Sequence, residues 1–140
     1  MSTIGNLHRE KLAQRRAINH ASGSSFVLYP EQKLVVLTLG TRITVNDLVE
    51  YARLLREDPS FHPGFSEIAD IRAAEDVALG ADDMMKMADE IDPFAHDAKR
   101  AFVVRTASQA HAARMHKILR IERNFQIFRS LEAARQWIGA

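Results

Sequence analysis

Four apolar runs, each closing on an arginine and each followed by a helical pattern, set the terms for this chain. They are Leu34-Val-Val-Leu-Thr-Leu-Gly-Thr-Arg42, Ile68-Ala-Asp-Ile-Arg72, Ala101-Phe-Val-Val-Arg105 and Phe125-Gln-Ile-Phe-Arg129. Residues that are apolar in succession suit strands covered on both faces. Strands alternating with helices call for a largely parallel sheet joined by right-handed crossovers. In such a sheet the carboxyl ends gather along one edge, where open α/β sheets bind ligands. Four guanidinium groups are therefore expected on that edge.

The flanking residues predict the remaining elements. Phe26-Val-Leu-Tyr29, the connection Pro30-Glu31-Gln32 and the run Lys33 to Leu39 read as a hairpin. Thr44 is expected to cap a helix, with Asp47 as a weaker capping-box acid. Val45, Leu48, Val49, Ala52 and Leu55 form its inner face, and Asp58-Pro59 ends it. A second helix is predicted over Ala81 to Ile91, with Met84, Met85, Ala88 and Ile91 inward and Met87 outward. A third runs from about Ser108 to Arg120 with Ala112, Met115 and Leu119 inward. Ser130 caps a fourth, which carries Leu131, Ala134, Trp137 and Ile138. The order β-β-α-β-α-β-α-β-α describes a single-domain α/β fold with a mixed, mostly parallel sheet and an N-terminal β-hairpin.

At 140 residues the chain suits one domain with a respectable core. Nineteen Lys and Arg against eighteen Asp and Glu leave a net charge of +1, too little for a nucleic-acid-coating field. The lack of cysteine excludes disulfides, thiolate metal sites and a cysteine nucleophile, and fits a cytoplasmic setting. No apolar run approaches the roughly 20 residues of a membrane span. Arg9, Lys11, Arg15 and Arg16 against Glu10 alone make the start basic. A basic, flexible segment over residues 1–25 is therefore expected ahead of a domain over residues 26–140.

Motifs of known chemistry are missing. His111 and His116 stand five residues apart, whereas ligands on one helix face need three or four. Asp92-Pro-Phe-Ala-His-Asp97 reads as a solvated turn. There is no Gly-rich phosphate loop, Gly-x-Ser-x-Gly elbow or Rossmann fingerprint. The expectation is a non-enzymatic protein without metal or cofactor. Charge is split along the chain: Glu75 to Asp97 holds eight acids and one base, Lys86, while Ala98 to Ile121 holds six bases and no acid. Neighbouring helices would neutralise one another; separated, they would present Arg114, Lys117 and Arg120 as a partner surface. On the sheet edge, Arg42, Arg72 and Arg129 have carboxylates nearby in sequence. Arg105 has none, and Thr106 and Ser108 follow it at a helix start. Arg105, Thr106 and Ser108, with Arg72 beside them, are thus the candidate anion or ligand edge.

The order of elements, Asp70-Ile-Arg72 and the tail Phe128-Arg-Ser-Leu-Glu-Ala-Ala-Arg-Gln-Trp-Ile138 together resemble the STAS-like domains, in particular their SpoIIAA-like branch of small bacterial proteins. The resemblance spans Phe26 to the C-terminus and implies a mixed sheet with helices, related in outline to the CRAL-TRIO lipid-transfer domains. Anti-sigma-factor antagonists of that family are phosphorylated by a partner kinase after the Asp-containing strand. Here the corresponding loop, Ala73-Ala-Glu-Asp-Val-Ala-Leu-Gly80, has no acceptor hydroxyl. Two functions follow: a regulatory module that binds a protein partner or itself as a homodimer, and a carrier or sensor for a small anionic or amphipathic, lipid-like ligand.

Overall fold

The apolar runs do become neighbouring strands, and the sheet they build is ordered almost as the chain is. The computed structural model describes residues 15–139. In it, β1 (Arg15–Asn19), β2 (Ser24–Tyr29) and β3 (Leu34–Thr38) pair antiparallel. From β3 the sheet continues in parallel through β5 (Ser66–Asp70), β7 (Arg100–Val103) and β8 (Phe125–Phe128). Four helices complete the single α/β domain: α1 (Val45–Glu57), α2 (Ala81–Lys86), α3 (Ala107–Arg120) and α4 (Leu131–Ile138). The short strands β4 (Arg42–Thr44) and β6 (Asp76–Ala78) form a separate parallel pair.

All the expected elements are present, and β1, β4 and β6 are additions. From Arg15 onward the basic N-terminal segment is an edge strand, contrary to the flexible reading. Arg15 Nη1 donates to Ser25 Oγ at 2.7 Å, and Arg16 pairs with Asp58 at 3.3 Å. Its earlier basic residues, Arg9 and Lys11, lie outside the described residues. Gly40 permits the close approach of this corner, since a Cβ there would sit 1.5 Å from the Ser22 carbonyl oxygen.

Right-handed crossovers between parallel strands laid in chain order put every crossing helix on one face. Accordingly Leu48, Tyr51 and Leu55 of α1 and Ala110 and Ala113 of α3 share one core with Phe26, Val35, Leu37, Ala69 and Phe125. The opposite face carries Leu34, Val36, Ile68, Ala101 and Val103, covered by α4 through Leu131, Ala134, Trp137 and Ile138. Helix α4 follows the last strand, so it is free of the crossover rule.

Three helix faces differ from the periodic expectation. In α1, Thr44 caps as expected, with Oγ1 accepting from the Asp47 amide at 3.2 Å. Val49 is exposed, however, and Asp47 and Tyr51 are buried in its place. After α2 the chain makes a π turn over Met87–Ile91. There Met84, Met87, Ala88 and Ile91 form the inner i, i+3, i+4, i+7 series, and Met85 is outside. In α3 the buried residues are Gln109, Ala110, Ala113 and Arg120, so polar groups take the inner face while Ile118 stands 66% exposed.

Helix α3 ends at Ile121, whose φ of 54° is left-handed. A β-branched residue resists that region, where glycine is usual. Replacing Ile121 by glycine should raise the urea midpoint, by about 1 kcal/mol of stability, since left-handed geometry costs an L-residue roughly 1–2 kcal/mol. Leu55→Ala, at a fully buried position, should lower stability by about 2–5 kcal/mol in the same measurement.

Candidate functional site

Glu67 and Arg100 lie opposite one another on β5 and β7, pointing to the face that α1 and α3 cover. Both are buried, at 1% and 3% side-chain exposure. Isolated charges in such a place are expensive, so they must be paired and hydrogen-bonded. Arg100 Nε and Nη2 donate to Glu67 Oε1 at 3.0 and 2.8 Å, and Tyr51 Oη donates to Glu67 Oε2 at 2.6 Å. The third arm, Nη1, lies 3.0 Å from Asp92 Oδ2 and 2.7 Å from Glu122 Oε1.

Two irregular helix exits deliver those carboxylates. The π turn closes with the Asp92 amide donating to the Met87 carbonyl at 3.0 Å, and Asp92 Oδ1 accepts from the Phe94 amide at 3.0 Å. At the end of α3 the left-handed Ile121 turns the chain back, and Glu122 enters the cluster with a fully buried side chain. Two residues of α3 join them. Arg120 Nε lies 3.2 Å from Glu122 Oε1 and 3.6 Å from Asp92 Oδ2. Its Nη2 donates to the Phe94 carbonyl. His116 Nε2 lies 2.8 Å from Asp92 Oδ2, and its ring stacks on Phe102. Phe94 in turn covers the Arg100 guanidinium at 4.4 Å.

The network fixes the protonation states. Burial pushes the Asp92 carboxyl up, but Arg100, His116 and Arg120 outweigh it and hold that carboxyl well below the usual range. Burial likewise opposes the charge on Arg100, yet Glu67, Asp92 and Glu122 keep it firmly protonated. Burial and then Glu67 raise the Tyr51 hydroxyl well above its ordinary value, so it stays a donor. Asp92, His116 and Glu122 place ligand atoms within 4.8 Å of one another, a spacing that can suit a metal. The Arg100 guanidinium already occupies the position between the two carboxylates, which makes this an ion-pair network.

Beside the cluster a cavity of about 100 Å³ opens between the sheet and the helices. Its walls are mostly apolar, with Leu37, Leu39, Ile43, Leu48, Met84 and Met87 among them. Tyr51, Glu67, Asp92, Arg100 and His116 supply its polar side.

The arginine edge is real for three of its four members, and it serves the protein's own groups, one carboxylate and two backbone carbonyls. Arg72 grips Asp70 through Nε and Nη2 at 3.0 and 2.9 Å. Arg105 Nε donates to the Arg72 carbonyl and Arg129 Nη1 to the Arg105 carbonyl, both at 3.1 Å. Arg42 belongs to β4 and meets Asp76 at 3.4 Å instead of Asp47. At the helix start, Gln109 Oε1 accepts from the Arg105 and Thr106 amides at 2.6 and 3.2 Å, and Thr106 Oγ1 accepts from the Gln109 amide. Gln109 therefore fills the place an anion would take, while Ser108 is exposed beside it. Of the partner surface, Arg114 and Lys117 are exposed, but Arg120 is not: the cluster buries it to 6% exposure.

Sequence reasoning missed the cluster itself, because its members are scattered over β5, β7, α3 and two helix exits. One signal was legible: Glu67 and Arg100 are charged residues at inward positions near the start of two otherwise apolar strands. Among family models, curated proteins and solved structures, none matches this chain. Among the described residues, no helix is long and apolar enough to cross a membrane.

Arg100→Met should lower stability by about 3–5 kcal/mol in urea unfolding, the cost of stranding buried partner charges. Arg53→Ala, which removes an exposed pairing with Glu50 and Glu57, should leave the midpoint nearly unchanged. Asp92 is depressed in the native state, so its stabilisation is complete above the unfolded value of about 3.9 and disappears as pH falls below it. Asp92→Asn should therefore be less stable at neutral pH and lose less stability on acidification than the parent protein.

Proposed function

We propose that this protein binds a small, largely apolar ligand in the cavity between its sheet and α1, α2 and α3, acting as a carrier or sensor and not as an enzyme. The observation that carries this reading is the cavity itself, an apolar chamber with one polar wall. That combination, apolar lining with a few placed polar groups, is the usual make-up of a small-molecule site. Apolar cavities of about 150 Å³ take benzene-sized molecules, so a ligand of similar or slightly smaller bulk fits here. The segment Met84 to Ile91 closes one side, and α2 has no buried residue of its own. Occupancy can therefore be felt at the surface through a weakly anchored element.

A second reading, a regulatory module of the STAS-like kind that docks a protein partner, is supported by a different surface. Arg114 and Lys117 lie exposed on α3 with Ile118 and with Ile121, the latter 77% exposed. Exposed apolar residues beside a single sign of charge suit an acidic, amphipathic partner.

Binding is tested by an NMR titration of the full chain with small aliphatic and aromatic molecules. Shifts should concentrate at Leu39, Ile43, Leu48 and Met87. Ala112→Phe, which fills the cavity from α3, should abolish those shifts while the rest of the spectrum stays native. Shifts that survive this substitution would place the ligand elsewhere and defeat the reading.

A further inference from the structure

The polar wall of the cavity has one atom without a partner. Tyr51, Glu67, Asp92 and Arg100 spend their hydrogen-bonding groups on one another, on Glu122, on the Phe94 amide and on His116 Nε2. His116 differs. Its Nε2 faces Asp92 Oδ2, and an ionised carboxylate accepts only, so in the neutral imidazole the proton sits on Nε2. Nδ1 is then a bare lone pair, and no described side chain or backbone group donates to it. The ring is held by Phe102 and is only 13% exposed, with the cavity beside it.

The charges around it do not balance. Glu67 from β5, Asp92 after the π turn and Glu122 after α3 set three formal negative charges against two, on Arg100 of β7 and Arg120 of α3. Tyr51 of α1 is neutral. Glu122 Oε2 independently marks the same shortfall, for it is buried and has no donor. With the imidazole neutral, the cluster therefore carries one formal negative charge in excess.

From this we infer the class of ligand, an inference that rests on the cavity reading: an apolar body of about six non-hydrogen atoms carrying a protonated amine, whose N–H donates to His116 Nδ1. The ammonium supplies both missing elements, a donor for the lone pair and a positive charge beside the cluster. A carboxylate head supplies neither, and a neutral alcohol supplies the donor alone.

The test compares hexylamine, hexan-1-ol and hexanoate by NMR titration of the full chain at about pH 8. Hexylamine should bind about tenfold or more tighter than hexanoate, a difference of about 1.4 kcal/mol, and should move the His116 ring nitrogen resonances. His116→Phe, which keeps a ring against Phe102, should erase the preference for the amine and retain the alcohol. Hexanoate binding as tightly as hexylamine, or an amine preference that survives His116→Phe, would overturn the head-group inference and leave the cavity reading standing. No binding by any of the three would overturn both.

Discussion

Arg100 is the residue on which this face of the molecule depends. It sits at the start of a central strand and uses all three nitrogens to hold Glu67, Asp92 and Glu122, which come from a neighbouring strand and two helix exits. Through Glu67 it reaches Tyr51 of α1, and through Asp92 it reaches His116 of α3. An apolar residue there could fill space but could not define where four separate segments end. Buried ion pairs contribute little net stability when compared with good hydrophobic packing. Their effect here is positional: the carboxylates stay where the backbone irregularities aim them.

Those irregularities belong to the same design. A π turn and a left-handed isoleucine are both departures from regular helix, and such departures concentrate where side chains must be placed against the default geometry. Each is the last step before a carboxylate of the cluster. The handedness rule supplies the rest. Parallel strands laid in chain order force the crossing helices onto one face, so that face is thick enough to enclose a cavity. Among the described residues, the other is covered by α4.

The strands, the hairpin and the caps at Thr44 and Ser130 were legible because each rests on local chemistry: apolar succession, a proline turn, a hydroxyl before a helix. The inner face of α4 was legible for the same reason, its apolar residues being its buried ones. That of α3 was not. Gln109, His116 and Arg120 face inward and Ile118 and Ile121 outward, so hydrophobic periodicity points the wrong way. The anion site expected at Arg105 to Ser108 is occupied by Gln109, whose amide finds the carbonyls of Arg72 and Ala74 across the sheet edge.

By itself, the sequence determined the α/β class, the mostly parallel sheet and the gathering of arginines at one strand edge. Those follow from periodicity and from the handedness of L-residues, which act over a few neighbouring positions. Only the tertiary structure decided which charges are buried together, that Arg105 serves a backbone carbonyl, and that a cavity opens beside His116. Burial and pairing depend on distances between residues far apart in the chain, and no local rule carries that information.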